Sequence, residues 1–205
     1  MKKLLLRSCF AAVVAALFTA GAHAADAAVG KPAPAFTLTD VSGKTQSLSD
    51  FRGKTVVLEW VNPECPFVVK HYDSSGNIPK LQKAAKADGV VWLSINSAAA
   101  GKQGDFDPAQ VSTWAKKTHA EPTAYLRDTD GKVGKAYGAK TTPHIFIINA
   151  EGNVVYAGGI DSIKSSDAAD IAKADNYVTD ALTSIKKGEP VAKSTSQPYG
   201  CSVKY

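Results

Sequence analysis

Cysteine is scarce in this chain of 205 residues: there are three, Cys9, Cys65 and Cys201, and no two of them form a C-x-x-C pair. With His119 and His144 scattered through the sequence and no H-x₃-H spacing, the common zinc arrangements are absent. There is no G-x-G-x-x-G loop, no P-loop and no G-x-S-x-G elbow, so nothing points to a dinucleotide, a bound triphosphate or a hydrolase serine. An excess of one charge is missing too. Of a net charge of +5, Lys2, Lys3 and Arg7 supply three, and no dense Lys/Arg tract remains after them. A nucleic-acid partner is therefore not expected. After Ala20 no apolar run approaches the roughly 18 residues that a membrane-spanning helix needs. No internal repeat and no second domain is visible.

The first 24 residues read as a segment apart. A basic start is followed by an apolar stretch from Ala11 to Ala20 and then by Ala22-His23-Ala24, which fits a small-residue cleavage site. The expectation is a signal peptide over residues 1–24, a domain over 25–190, a polar tail over 191–205 and a periplasmic location. Cys9 leaves with the leader. Cys65 and Cys201 then reach a compartment in which disulfides persist. A chain of about 180 residues buries an adequate core without staples, so the pair raises the prospect of redox chemistry.

The pattern of the remaining chain alternates strands and helices. Phe36–Asp40 alternates like a half-buried strand. Thr55–Val61 (TVVLEWV) and Val90–Ile95 (VVWLSI) are continuous apolar runs suited to central strands buried on both faces. A helix opens at Cys65-Pro66, breaks at Ser74-Ser75-Gly76-Asn77 and resumes over Ile78–Ala87. Another helix runs over Pro108–Thr118 with Asp107 as its cap. Short strands at Thr123–Leu126, Ile145–Ile148 and Val154–Ala157 follow, the last two forming a hairpin. A long helix is expected over Ala168–Lys187. Helical crossovers between strands imply parallel pairing, and the hairpin adds an antiparallel part. The fold class is α/β: a sandwich with a mixed central sheet flanked by helices.

The chemistry concentrates where the strand Thr55–Val61 ends and a helix begins. A cysteine at that junction meets outward-pointing backbone N–H groups, which favour the reactive thiolate. Pro66 suits the first helical position. Lys70 and His71, one to two turns on, are expected to add positive field, and Glu64 to oppose it. Glu59, within a strand of central type, is either a proton-transfer carboxylate with a raised pKa or a group facing a polar partner.

The segment V56-V57-L58-E59-W60-V61-N62-P63-E64-C65-P66-F67-V68 resembles the strand-to-active-site segment of exported thioredoxin-like reductases. T141-T142-P143-H144-I145-F146-I147-I148-N149 resembles the superfamily's second hallmark, a cis-proline placed beside the active cysteine. With K-P-A-P-A-F-T-L near the start and G-C-S-V-K-Y at the end, the chain resembles the redoxin group, the alkyl hydroperoxide reductase/thiol-specific antioxidant superfamily, in its peroxiredoxin-like subgroup. The resemblance implies a thioredoxin-like sandwich and an antioxidant oxidoreductase with Cys65 as nucleophile. It also implies that Thr142 and Pro143 shape the substrate face and leave a backbone edge open to an extended substrate chain.

Two departures qualify it. Val68 replaces the second cysteine of C-P-x-C. Leu58 and Asn62 stand where a peroxiredoxin has its proline and hydroxyl residue. Cys201 is expected to serve as resolving thiol, with a static Cys65–Cys201 staple or two free thiols as alternatives. The expected substrate is a protein disulfide or thiol, or a peroxide, with an external thiol as reductant and no cofactor or metal. The rival readings are a binding module that keeps the fold, and a copper carrier with His144 as a further ligand to Cys65.

Overall fold

The computed structural model describes residues 27–205. The expected leader, including Cys9, lies outside the described residues. Seven strands build one sheet: β1 (Thr37–Asp40), β2 (Thr45–Ser47), β3 (Val56–Trp60), β4 (Val91–Asn96), β5 (Ala124–Arg127), β7 (His144–Ile148) and β8 (Val154–Gly158), in the order β2-β1-β5-β4-β3-β7-β8. The two-residue strand β6 (Thr141–Thr142) belongs to a separate ladder with β9 (Cys201–Ser202). β3, β4 and β5 run parallel, and β1, β2, β7 and β8 pair antiparallel. This is the mixed sheet expected from the apolar runs. Every residue of β3, β4 and β7 is buried, as continuous apolar strands require when both faces are covered.

The faces carry two separate cores. On one, α1 (Pro66–His71), α2 (Asn77–Ala87), α3 (Pro108–Thr118) and α5 (Tyr177–Lys186) pack Val68, Tyr72, Ile78, Trp114 and Val178 against Val57, Ile145 and Ile147, with Cys65 in the same cluster. On the other, α4 (Lys132–Ala136) and the entry segment pack Val133, Tyr137 and Phe36 against Leu58, Trp60 and Phe146.

One expectation is corrected, and two stretches are more ordered than the sequence indicates. The helix read over Ala168–Lys187 is two elements, a 3-10 turn over Ala168–Lys173 and α5. Asp167 caps the first by accepting from the Ala169 amide, and Asn176 caps the second by accepting from the Thr179 amide. A second N-cap inside the periodic stretch restarts the helix. Residues 45–47, assigned to no element from the sequence, form β2. Asp40 holds the β1–β2 turn by accepting from the Ser42 and Lys44 amides.

The second of these stretches is the polar tail, which is held down along its length. Ser194 and Ser196 bond to the backbone of Ala157, Val203 to Lys140 and Lys204 to Ala99. Terminal Tyr205 donates to the Ala139 carbonyl. A β-carbon on Gly134 would lie 2.5 Å from the Tyr205 hydroxyl, so α4 seats that ring only because position 134 is bare. The tail is a strap laid across the end of the sheet that carries Cys65.

Candidate active site

Cys65 is the N-cap of α1 and Pro66 its first residue. The turn that delivers it is stitched on both sides. The Cys65 amide donates to the Asn62 carbonyl, and the Asn62 side chain accepts from the Glu64 amide and donates to the Gln103 carbonyl. The Glu64 carboxylate accepts from the Gly104 amide at 2.6 Å. Glu64 and Asn62 therefore tie the turn to the loop after β4. Asn62, at the position of the peroxiredoxin hydroxyl residue, is committed to that loop.

The peptide bond between Thr142 and Pro143 is cis, and the Thr142 carbonyl oxygen lies 3.1 Å from Cys65 Sγ. The edge of β6, expected to be open to an extended substrate, is filled by the protein's own strap. β9 pairs antiparallel with it, Cys201 opposite Thr142. Cys201 Sγ comes to 2.7 Å from Cys65 Sγ, inside van der Waals contact and beyond the ~2.05 Å of a formed disulfide. Gly200 makes this approach possible. A β-carbon there would lie 2.0 Å from the Thr142 carbonyl oxygen, and its φ of +138° disfavours side chains. Cys65 is fully enclosed, at 0% exposure, whereas Cys201 is half-buried.

The two thiols are unlike. Burial pushes Cys65 up, but its contacts with Cys201 and Thr142 outweigh it and hold the thiol below its ordinary value. Burial, and then contact with Cys65, pushes Cys201 up to about 11. Of the pair, Cys65 is therefore the more acidic sulfur and Cys201 the one that holds its proton more tightly. The buried Thr142 hydroxyl has no hydrogen-bond partner among the described residues, and it is the Thr142 carbonyl oxygen that meets Cys65 Sγ.

Glu59 is wholly buried among neutral donors. Tyr72 donates to it at 2.8 Å, Trp92 Nε1 at 2.8 Å and Ser94 at 3.2 Å, and Gln82 in turn donates to Tyr72. Burial nevertheless pushes its carboxyl up to about 7. It is thus a buried acid that changes charge near neutrality.

Lys70 and His71 do not act as expected. Burial, and then the Lys70 charge, lowers His71 to about 3, so it is neutral and supplies no field. Lys70 Nζ lies 3.6 Å from Asp161 Oδ2 and donates to the Ile163 carbonyl. Its charge is directed to Asp161. Tyr199, in the strap two residues before Cys201, joins this cluster. Its hydroxyl donates to Asp161 Oδ1 at 2.5 Å and lies 3.1 Å from His71 Nε2. Its ring packs edge-on against Phe67 of α1. Asp161 and Tyr199 thus fasten the strap to the helix that begins at Cys65. Neither stood out in the sequence: an isolated Asp and a tail Tyr have no local spacing that signals partnership with α1.

His144 does not face Cys65. It stacks on Phe146, on the opposite face of the sheet from the Cys65 cluster, and its Nδ1 accepts from the Lys140 amide. Burial and the Lys140 charge lower it to about 4. The copper-carrier reading loses its extra ligand. Among the described residues no group of three His, Cys, Asp or Glu side chains is arranged to hold a metal ion. No described helix is long and apolar enough to cross a membrane.

Residues 28–177 match the Redoxin family. Over 139 residues the chain is 33% identical to the thiol:disulfide interchange protein DsbE of Pseudomonas fluorescens biotype C, covering 66% of this chain and 70% of that protein. Over 126 residues it is 32% identical to the thiol-disulfide oxidoreductase ResA of Bacillus subtilis, covering 62% of this chain and 64% of that protein. The match thus spans about two thirds of either relative. Among solved structures it is similar to an uncharacterized conserved protein from Geobacillus kaustophilus, with a TM-score of 0.73, 28% identity and coverage of 87% of this chain and 92% of that one.

Proposed function

Because the chain belongs to the redoxin family, we propose that it is an exported thiol-based oxidoreductase with Cys65 as nucleophile and Cys201 as resolving thiol. The observation that carries the reading is the pair of unlike sulfurs 2.7 Å apart, Cys65 the more acidic and Cys201 the less acidic of the two. When the strap lifts, the Cys65 thiolate attacks one sulfur of a substrate disulfide and the other substrate sulfur leaves as thiolate. On return of the strap, Cys201 loses its proton and attacks Cys65 Sγ. The second substrate thiolate departs, and the Cys65–Cys201 disulfide remains. The substrate has gained the two electrons that the protein dithiol has lost. An external thiol reductant then restores the dithiol. Pro66 sets the start of α1, and Thr142 with Pro143 presents the backbone edge against which the reacting chain lies.

A disulfide suits the site better than a peroxide. Asn62 turns to Gln103 and Leu58 is buried in the core, so neither supplies the peroxide-binding pair. The expectation of an exported protein working in the periplasm rests on the leader-like residues 1–24. To test the cycle, reduced protein is treated with oxidised glutathione or hydrogen peroxide and mapped without reduction. The expected result is a Cys65–Cys201 linkage formed faster by the disulfide than by the peroxide. No linkage with either oxidant overturns the reading.

One observation favours a second reading. The strap is anchored along much of its length, at Ser194, Ser196, Tyr199, Val203 and Tyr205. That would also suit a binding module in which Cys65–Cys201 is a permanent staple. A structural disulfide has a reduction potential below about −300 mV, and a working one lies above it.

A further inference from the structure

We infer that the strap sits in the seat of the substrate chain, and that the site selects a disulfide whose attacked cysteine is preceded by glycine and, one residue earlier, by tyrosine. This rests on the Cys65–Cys201 cycle proposed above and names the class of substrate that enters it.

Register is the first ground. Cys201 lies opposite Thr142 and Ser202 opposite Thr141, which sets Cys201 Sγ 2.7 Å from Cys65 Sγ. An extended chain that brings its own sulfur to Cys65 along the same edge of β6 takes the same register, because backbone pairing fixes where its cysteine falls. The residue before that cysteine then lies where Gly200 lies. A β-carbon there meets the Thr142 carbonyl oxygen at 2.0 Å and the carbonyl carbon at 2.8 Å, backbone atoms that cannot swing aside. Space and the φ of +138° both demand glycine.

The pocket that holds Tyr199 is the second ground, and it is built for a phenol. The ring is buried edge-on against Phe67, with Lys70 Nζ 5.6 Å from its centroid. At the far end Asp161 Oδ1 accepts from the hydroxyl at 2.5 Å, and His71 Nε2 lies 3.1 Å from it. The other nitrogen of His71 decides what Nε2 does. Nδ1 lies 2.9 Å from the side-chain nitrogen of Asn77, which can only donate, and the ring is neutral. The ring proton is therefore on Nε2 and is given to the tyrosine oxygen. One acceptor and one donor at a fixed depth match a hydroxyl, and match neither a carboxylate nor an ammonium group. A ring without the hydroxyl leaves the His71 N–H unpaired and takes from Asp161 one of its two hydrogen bonds, the other coming from the Ile163 amide. Lys70, His71 and Asp161 are themselves buried, so water does not readily make good the loss.

The test uses the reduced full-length protein and end-blocked peptides that carry their cysteine as a mixed disulfide with thionitrobenzoate. One has the sequence of residues 196–202, Ser-Gln-Pro-Tyr-Gly-Cys-Ser; the second has Phe for Tyr and the third Ala for Gly. The Cys65 thiol gives up its proton, its sulfur bonds to the peptide sulfur, and thionitrobenzoate, the better leaving group, departs with the electron pair. Its absorbance gives the rate, taken where rate is proportional to peptide concentration and divided by the rate of the same peptide with glutathione. The strap competes with all three alike. Each altered peptide is expected to react at least about ten-fold more slowly, the worth of one hydrogen bond to a charged group in the Phe case. Equal rates for the Tyr and Phe peptides, or for the Gly and Ala peptides, overturn the inference while leaving the cycle intact. No release by the protein from any of the three overturns both.

Discussion

The two sulfurs of the candidate site are held by regions built on different principles. Cys65 stands on the core: a strand buried on both faces, a turn stitched to Gln103 and Gly104, and a helix that starts with proline. Cys201 stands on a strap of 15 residues with a two-residue strand as its only regular element, held by spaced anchors and by glycines that leave room for it. The first region fixes the more acidic sulfur in place. The second brings a less acidic thiol to it. A redox pair split in this way needs no C-x-x-C, because the chain supplies the second thiol from 136 residues away.

The largest expected effect comes from the joint between the two regions. Asp161→Ala leaves Lys70 buried without its carboxylate and Tyr199 without its acceptor. Breaking a buried pair in this way costs about 3–5 kcal/mol, so urea unfolding should show a loss of that order, together with slower 65–201 disulfide formation. Unchanged stability and oxidation would mean that the strap is not fastened at this cluster.

Gly200→Ala acts on the strap alone. Its β-carbon collides with the Thr142 carbonyl oxygen, so Cys201 is pushed from Cys65 and the pair falls towards the millimolar effective concentration of a flexible tether. Disulfide formation under oxidised glutathione should slow by at least about ten-fold, with the unfolding transition changed much less. An unaltered rate would show that the close seat of Gly200 is not needed.

Glu59→Gln acts on the core side alone. The folded state holds the Glu59 proton more tightly than the unfolded chain, with a pKa of about 7 against 4.5. Its stabilising contribution is therefore complete below about pH 4.5 and is lost as pH rises through 7. By linkage it is worth roughly 3 kcal/mol across that window. His71 and His144, lowered by burial to about 3 and 4, oppose this: their contribution is present above pH 6.5 and lost as pH falls through those values. The difference in stability between wild type and Glu59→Gln, measured from pH 4.5 to 8, isolates the carboxylate and should vary with pH. A constant difference would contradict a raised pKa.

The smallest effect is expected at the tip of the strap. Tyr205→Ala removes one hydrogen bond to Ala139 and a ring seated on Gly131 and Gly134. A loss of about 1 kcal/mol, with little change in disulfide formation, would place the working part of the strap between Tyr199 and Cys201. A large loss of oxidation rate would move it to the terminus.

The same contrast explains what could be read from the sequence. The sheet was legible because β3, β4 and β7 are continuous apolar runs, and the Cys65 turn because strand, turn, cysteine and proline are neighbours in the chain. The strap was legible only as a tail ending in G-C-S-V-K-Y. Its docking depends on the space above Gly134, on Gly200 against a carbonyl in β6, and on a tyrosine meeting an aspartate 38 residues away. No local periodicity records such contacts. Lys70 and His71 were misread for a related reason. Helical spacing from Cys65 brought them to notice, but Asp161 and burial decide their charge.

The most direct test of the central claim is the reduction potential of the 65–201 pair, measured by equilibration in glutathione redox buffers with the linkage followed by peptide mapping. A reversible two-electron transition above about −300 mV is the predicted result. A bond that resists reduction below that value would contradict it and make Cys65–Cys201 a staple.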